Sequence, residues 1–354
     1  MSKEYYIGHV STKVDDGGMA RNHAFANYFK SSSFKVVNVF SDNILLRLYN
    51  AIKILSILFF FKERIIFIHL GTFFYLYPKQ FLKINILFKS FFELLIFCSK
   101  RNKVLIEIND LPYEQAKDLE LDIDEFFLRF ENKLFSIRTV CFVFASMNME
   151  KYIKEKYFIH NSSYIINGGN QLTDSKIGNK ILSILEGEEK IKLVYAGTLN
   201  KGRQIEQLID IVSNCDNVVL LLLGTNGEWI DHLSNKENIY YLGNYVEEEA
   251  QYIVSRCDLG IIPYNDERFY YNICYPTKAS FYITAQIPFI STKLDELMYH
   301  FEDKSVYFFT IKDWEGFFKN LKKNDLNTKK IEVSTFSKAY CWPNIIDNQL
   351  KKLL

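Results

Sequence analysis

Apolar residues along this chain fall into short, nearly unbroken runs separated by stretches with helical spacing. In the first half the runs are YYIGHV (5–10), FKVVNVF (34–40), RIIFIHL (64–70), KVLIEI (103–108), VCFVFA (140–145) and SYIIN (163–167). The rhythm then restarts with IKLVYAG (191–197), NVVLLLLG (217–224), NIYYLG (238–243), DLGIIPY (258–264), IPFIS (287–291) and SVYFF (305–309). Runs without strict polar alternation are what parallel strands covered on both faces require. The pattern therefore predicts two successive α/β units.

Between them, NGGNQLTDSKIGNK (167–180) is rich in Gly, Asn and Ser and marks a connection. The predicted organisation is a first domain over 1–170, a second over 171–335, and a closing segment over 336–354. In that last segment Ile345, Ile346, Leu350, Leu353 and Leu354 have the spacing of an amphipathic helix, long enough to pack back on the first domain.

Phenylalanine concentrates between 57 and 97. Over FLKINILFKSFFELLIFCSK, a helical projection gathers Lys83, Lys89, Ser90, Glu93 and Lys100 on one narrow face and leaves a broad apolar one. A helix packed on a sheet accounts for this. A surface resting on a bilayer, lysines toward the headgroups, is the alternative reading. The longest uncharged apolar run, ILSILFFF, ends at Lys62 and is far shorter than the roughly 20 residues of a membrane span.

At 354 residues, with 48% hydrophobic and 24% charged residues, the chain has the material for two globular cores. A net charge of +1 gives no global field toward nucleic acid, so any basic site must be local. The six cysteines are scattered, form no CxxC pair, and read as reduced thiols of a cytoplasmic protein rather than as a zinc site or a disulfide framework. MSKEYYIGHV has no charged segment followed by an apolar core, so no signal peptide is expected.

In doubly wound sheets ligands bind beyond the carboxyl ends of the strands, which directs attention to the residues after each run. With two such sheets, a cleft between the domains is the expected place. After the first run, Gly17 and Gly18 permit a tight loop into a helical stretch; as a bare turn they would mean nothing more. His69 ends the third run, as a hydroxyl or phosphate ligand or as a core histidine bonded to backbone. EINDLPYE brings Glu107, Asn109, Asp110 and Glu114 to the next loop, suited to a hydroxyl-rich ligand and equally to an ordinary turn. In the second half, Gly197 and Thr198 lead to Lys201 and Arg203 before a helix, a combination that suits a diphosphate. Gly243 and Tyr245 stand in a loop able to take a flat base. Lys278 follows Pro276 at a predicted helix start, either as a solvated surface charge or as a fixed charge for a phosphate.

These residues together resemble the GT-B glycosyltransferases, in particular those related to family 4. The likeness runs through the Gly-Gly loop, His69, EINDLPYE, IINGGN, and the successive segments YAGTLNKG, YLGNYVEEE, CDLGIIPY and PTKASFYITAQIPFI, to AYCWPNIIDNQLKKLL. Relatives usually carry an arginine where Thr198 stands and two glutamates where Ile273 and Phe281 stand; a subset has a Pro-x-Lys pattern, which Pro276 and Lys278 match.

The resemblance implies a GT-B fold of two Rossmann-like domains, and transfer of a sugar from a nucleotide diphosphate, most readily a UDP-sugar, to a hydroxyl of a saccharide or lipid-linked glycan in bacterial surface polysaccharide synthesis. It implies retention of configuration without a metal; no Asp-x-Asp pair stands in a suitable loop, LDID (121–124) reading as part of a helical acidic run. An inverting displacement with Asp110 or Glu107 as base is the counter-reading. The implied roles place Gly17, Gly18, Gly197, Thr198, Lys201, Arg203, Gly243, Tyr245, Pro276 and Lys278 around the donor. His69, Asp110 and Lys278 stand at the chemistry, and Asn109 and Glu114 toward the acceptor. No cofactor is expected, the nucleotide sugar being a substrate, and contact with the inner membrane face is the one further partner. Two rivals remain: a non-catalytic sugar-binding or scaffolding member of the same fold, and a nucleotide-sugar epimerase.

Overall fold

The computed structural model describes residues 4–10, 17–77, 79–175, 177–200, 203–233, 237–301 and 305–353. They form two compact units, Met1–Ile166 with Ile346–Leu354, and Asn167–Ile345. Each is built on a six-stranded sheet in which every strand pair is parallel.

The first sheet contains β1 (Glu4–Gly8), β2 (Lys35–Asn38), β3 (Ile65–His69), β4 (Lys103–Ile108), β5 (Val140–Phe144) and β6 (Ser162–Tyr164), in the spatial order β2-β1-β3-β4-β5-β6. The second contains β7 (Ile191–Ala196), β8 (Val218–Leu223), β9 (Ile239–Gly243), β10 (Leu259–Ile262), β11 (Phe289–Ser291) and β12 (Tyr307–Phe308), in the order β12-β11-β10-β7-β8-β9. A strand lies in each of the twelve apolar runs. Their burial explains the lack of alternation: β8, VVLLLL, is buried at every position.

In each sheet the strand order reverses once, between β1 and β3 in the first and between β7 and β10 in the second. Helices leave in opposite directions at such a point and open a crevice above the strand ends. In the first unit the closing residues 346–354 are tied in by Tyr28, whose hydroxyl donates to Asp347 Oδ1 at 3.0 Å.

Two details differ from the sequence reading. The stretch 81–100 is not one helix: Lys79–Leu82 and Asn85–Arg101 are separate, and Ile84, extended, precedes the second. Residues 121–124 are not helical either. Asp124 is the cap of the helix Glu125–Leu134, accepting from Phe126 N at 3.0 Å and pairing with Lys79 at 2.5 Å, so its carboxylate serves a helix start.

Candidate functional site

The reversal point of the second sheet is assembled from three elements. Strand β7 ends and Gly197 follows; β10 ends and Tyr264 follows two residues later; the helix Thr277–Thr284, entered through Pro276, brings Lys278 to its first turn. The two strands are joined where they part by Tyr282, whose hydroxyl accepts from Ala196 N and donates to Ile261 O, both at 3.1 Å. The helix start is fixed by Ser280, donating to Asn167 O at 2.6 Å, and by a hydrogen bond between the Tyr275 and Ser280 hydroxyls at 2.8 Å.

Lys278 is only 8% exposed. Its ammonium donates to Tyr264 Oη at 3.0 Å and lies 5.0 Å from the Tyr195 ring centre and 5.4 Å from that of Tyr264. It rests against Gly197, whose φ of +143° only glycine adopts readily and where a Cβ would stand 2.6 Å from Lys278 Nζ. Arg203, half-buried, hydrogen-bonds the Tyr195 phenol. That phenol also donates to Thr198 O at 3.1 Å.

The groups acting on both cations are therefore phenols. Among the described residues no carboxylate forms an ion pair with either. Burial disfavours the Lys278 ammonium, but the Tyr195 and Tyr264 oxygens favour it more, and the balance raises its pKa. Burial likewise pushes the Tyr264 phenol up, yet Lys278 and Arg203 outweigh it and bring the phenol below its ordinary value. Two charges of one sign held among phenols, with no carboxylate partner among the described residues, are of the kind that an anion would balance.

The other sequence candidates of this unit lie nearby or elsewhere. Gly243, with φ +87°, ends β9, and a Cβ there would meet nothing within 4 Å. Tyr245 follows, half-buried, its hydroxyl donating to Leu242 O at 3.0 Å. Lys201 lies outside the described residues.

The reversal point of the first sheet carries histidines. His69, the last residue of β3, is 4% exposed, and neither ring nitrogen has a hydrogen bond of ordinary geometry, with Asn109 beside it. Burial lowers its pKa, and Arg21 adds to that while Glu107 opposes it. Directly after β1 stands His9, stacked on Tyr75 at 4.0 Å and 21° with Phe40 edge-on at 5.3 Å. Burial, His69 and Arg47 together lower its pKa to about 4. Both imidazoles are thus neutral at pH 7. Beneath them Arg21 and Glu107 form an ion pair at 2.6 Å with side chains 1% and 0% exposed, so Glu107 is committed to Arg21.

Gly17 and Gly18 open the helix Gly17–Lys30, which supplies Arg21. Asp110 is exposed and Asn109 partly so after β4. Glu114 is not in an open loop. It lies buried on the helix Pro112–Asp118 in an ion pair with Lys156.

Sequence reasoning missed His9, Arg21, Tyr195, Tyr264 and Tyr282. His9 directly follows β1 as Gly197 follows β7, and Tyr264 stands two residues past β10, so the rule that found His69 and Gly197 reached these two as well. Nothing local marks Arg21 or Tyr282, whose partners are remote in sequence.

No protein-family model matches the sequence, and no curated protein is a match to it. Solved structures do match along nearly the whole chain. A sucrose-phosphate synthase from Thermosynechococcus elongatus is 11% identical with a TM-score of 0.71, over 99% of this chain and 98% of that one. HepE of Anabaena in complex with UDP-glucose is 12% identical with a TM-score of 0.64, over 99% of each chain. A glycosyltransferase from Rickettsia africae is 13% identical with a TM-score of 0.62, over 100% of this chain and 98% of that one. At these identities the likeness is one of fold, and it shows the two-unit α/β architecture of GT-B glycosyltransferases.

Proposed function

We propose that the protein is a glycosyltransferase that moves a sugar from a nucleotide diphosphate, most readily a UDP-sugar, to a hydroxyl of a saccharide or lipid-linked glycan, in the synthesis of a bacterial surface polysaccharide. The observation that carries this is the Lys278–Arg203 pair at the β7/β10 reversal point, two cations among phenols, with Gly197 leaving room for the end of the Lys278 side chain. The similar fold of a protein solved with UDP-glucose supports the choice of donor.

Cleavage of a glycosyl–phosphate bond leaves negative charge on the departing diphosphate. A fixed cation whose attraction grows as that charge develops lowers the barrier, whereas one that held substrate and transition state alike would not. Lys278 would hold the phosphate nearest the sugar and Arg203 the next, with Lys201 and Thr198 completing the phosphate contacts. Gly243 and Tyr245 would receive the base.

In the first unit, His69 with Asn109 and Asp110 would orient sugar and acceptor hydroxyls. Neutral imidazoles accept and donate hydrogen bonds without adding a charge that competes for the diphosphate. Retention of configuration and metal independence form part of the proposal. NMR of the product's anomeric centre tests the first: a β-linkage from an α-configured donor overturns it. Thermal-shift titration with UDP, GDP, ADP and their sugars tests the whole. A ligand that binds the folded state raises its apparent stability, and absence of a shift with every nucleotide overturns the reading.

A further inference from the structure

Among the described residues nineteen large hydrophobic side chains are exposed, and twelve of them lie between residues 44 and 97 of the first unit. The helix Ile44–Phe60 accounts for most. It is capped by Asn43, whose Oδ1 accepts from Leu45 N at 2.9 Å, and it packs inward through Ile54, Ile57 and Leu58.

The opposite side should be polar on a helix that only covers a sheet. Instead Ile44, Leu45, Leu48, Tyr49, Ile52 and Phe59 share one outward face at helical spacing, each at least half exposed. Arg47 and Lys53 are the only charges on this helix, and Arg47 is turned back to Ser41 O at 2.8 Å. The surface continues across Phe59, stacked on the exposed Phe97 at 5.5 Å, onto the helix Asn85–Arg101. Ile84, Ile86 and Phe81 extend it at that helix's start. A helix apolar on both sides has a second apolar neighbour to meet.

Charge selects that neighbour. Residues 44–101 contain nine Lys or Arg and two Asp or Glu, a net +7 in a chain whose total is +1; Asp124, paired with Lys79 and Lys83, offsets one of these charges, and the remainder of the chain is net negative. Lys62, Lys89 and Lys100 are exposed on this segment. A second copy pairing through the same patch would set two strongly positive faces against each other. An anionic lipid surface offers what the face lacks: hydrocarbon for the Leu, Ile and Phe side chains and phosphate for the lysines above them.

We infer that the outward face of Ile44–Phe60, with the adjoining ends of 79–82 and 85–101, is a docking surface that lies on a membrane rich in anionic phospholipid. No crossing is implied: among the described residues no helix is long and apolar enough to span a bilayer. The inference is independent of the transferase reading and would hold for a non-enzymatic chain.

The test is co-flotation of the full chain with vesicles of phosphatidylglycerol and phosphatidylethanolamine, and with phosphatidylcholine vesicles of the same size. Binding to the anionic vesicles is expected. Leu45→Glu and Ile52→Glu should each lower the partition coefficient at least ~10-fold, as loss of one buried aliphatic side chain implies, with melting temperature unchanged because both positions are exposed. Lys89→Glu should lower it ~5-fold or more on anionic vesicles alone. Absence of flotation with either vesicle overturns the inference. So does binding indifferent to the two glutamate variants, equal binding to both lipid mixtures, or a dimer seen by sedimentation that Leu45→Glu dissociates.

Discussion

Replacing Lys278 by methionine keeps the unbranched stem that lies against Gly197 and removes only the ammonium. Among the described residues the charge has one hydrogen bond, to Tyr264 Oη at 3.0 Å, and no carboxylate partner. Burial works against the charged form and the surrounding phenols favour it, so the two effects offset in part and the variant should still fold, with a urea midpoint corresponding to a loss of at most ~2 kcal/mol. Function should respond differently. Two unit charges 4 Å apart in a partly screened site attract by ~4 kcal/mol, and loss of one transition-state donor costs about 100- to 1000-fold in turnover. Donor turnover should therefore fall ~100-fold or more. Since the acceptor is not needed for binding, calorimetric titration with UDP provides a second readout.

A third readout tests the geometry itself. The Tyr264 phenol is held below its usual value by Lys278 and Arg203 against the effect of burial. In Lys278→Met its titration, followed by ultraviolet difference absorption, should move to higher pH. Turnover and UDP affinity both within threefold of the parent would refute the reasoning and leave Lys278 a structural residue.

The imidazoles of the first unit predict a pH effect. His9 titrates near 4 when folded and near 6.5 when unfolded, so its contribution to stability is present above pH 6.5 and is lost as pH falls toward 4. His69 is shifted in the same direction. The melting temperature should drop between pH 7 and pH 5, and His9→Gln should drop less. Arg21→Met leaves Glu107 buried and unpaired and should cost ~3–5 kcal/mol in urea denaturation; adding Glu107→Gln should recover most of it, and a single-variant cost under ~1 kcal/mol would contradict the burial described. Gly197→Ala meets the movable end of Lys278 and should cost ~1–3 kcal/mol. Gly224, at φ +144°, would place its Cβ 2.0 Å from the Gly197 carbonyl oxygen, which is backbone, so Gly224→Ala should be the more damaging of the two by urea midpoint.

The strands were legible because burial on both faces erases the polar alternation, and in β8 every position of VVLLLL is buried. Boundaries were less so: β6 is confined to Ser162–Tyr164, although the apolar run continues through Ile166. The site was legible one element at a time. Gly197, Arg203 and Lys278 were each visible beside a strand or a helix start. Their meeting was not, because Tyr195, Tyr264 and Tyr282, which gather them, come from a strand, the loop after another strand and a helix, up to 87 residues apart. Apolar spacing also cannot say which side of a helix is covered. Ile54 and Leu48 have the same chemistry, and only the fold buries the first and exposes the second.

The glycines at the strand ends have a consequence for mutational scanning. Gly197 N donates to Leu223 O and Gly224 N to Gly243 O, both at 2.8 Å, so neighbouring strand ends are cross-linked by backbone hydrogen bonds that glycines donate. A scan scored on activity alone would rank Gly224 beside Lys278, the first intolerant because it shapes the floor and the second because it holds the charge. Scoring abundance as well should separate them: variants at 224 are expected to vanish from the soluble fraction, while variants at 278 should persist there, folded but with activity lost.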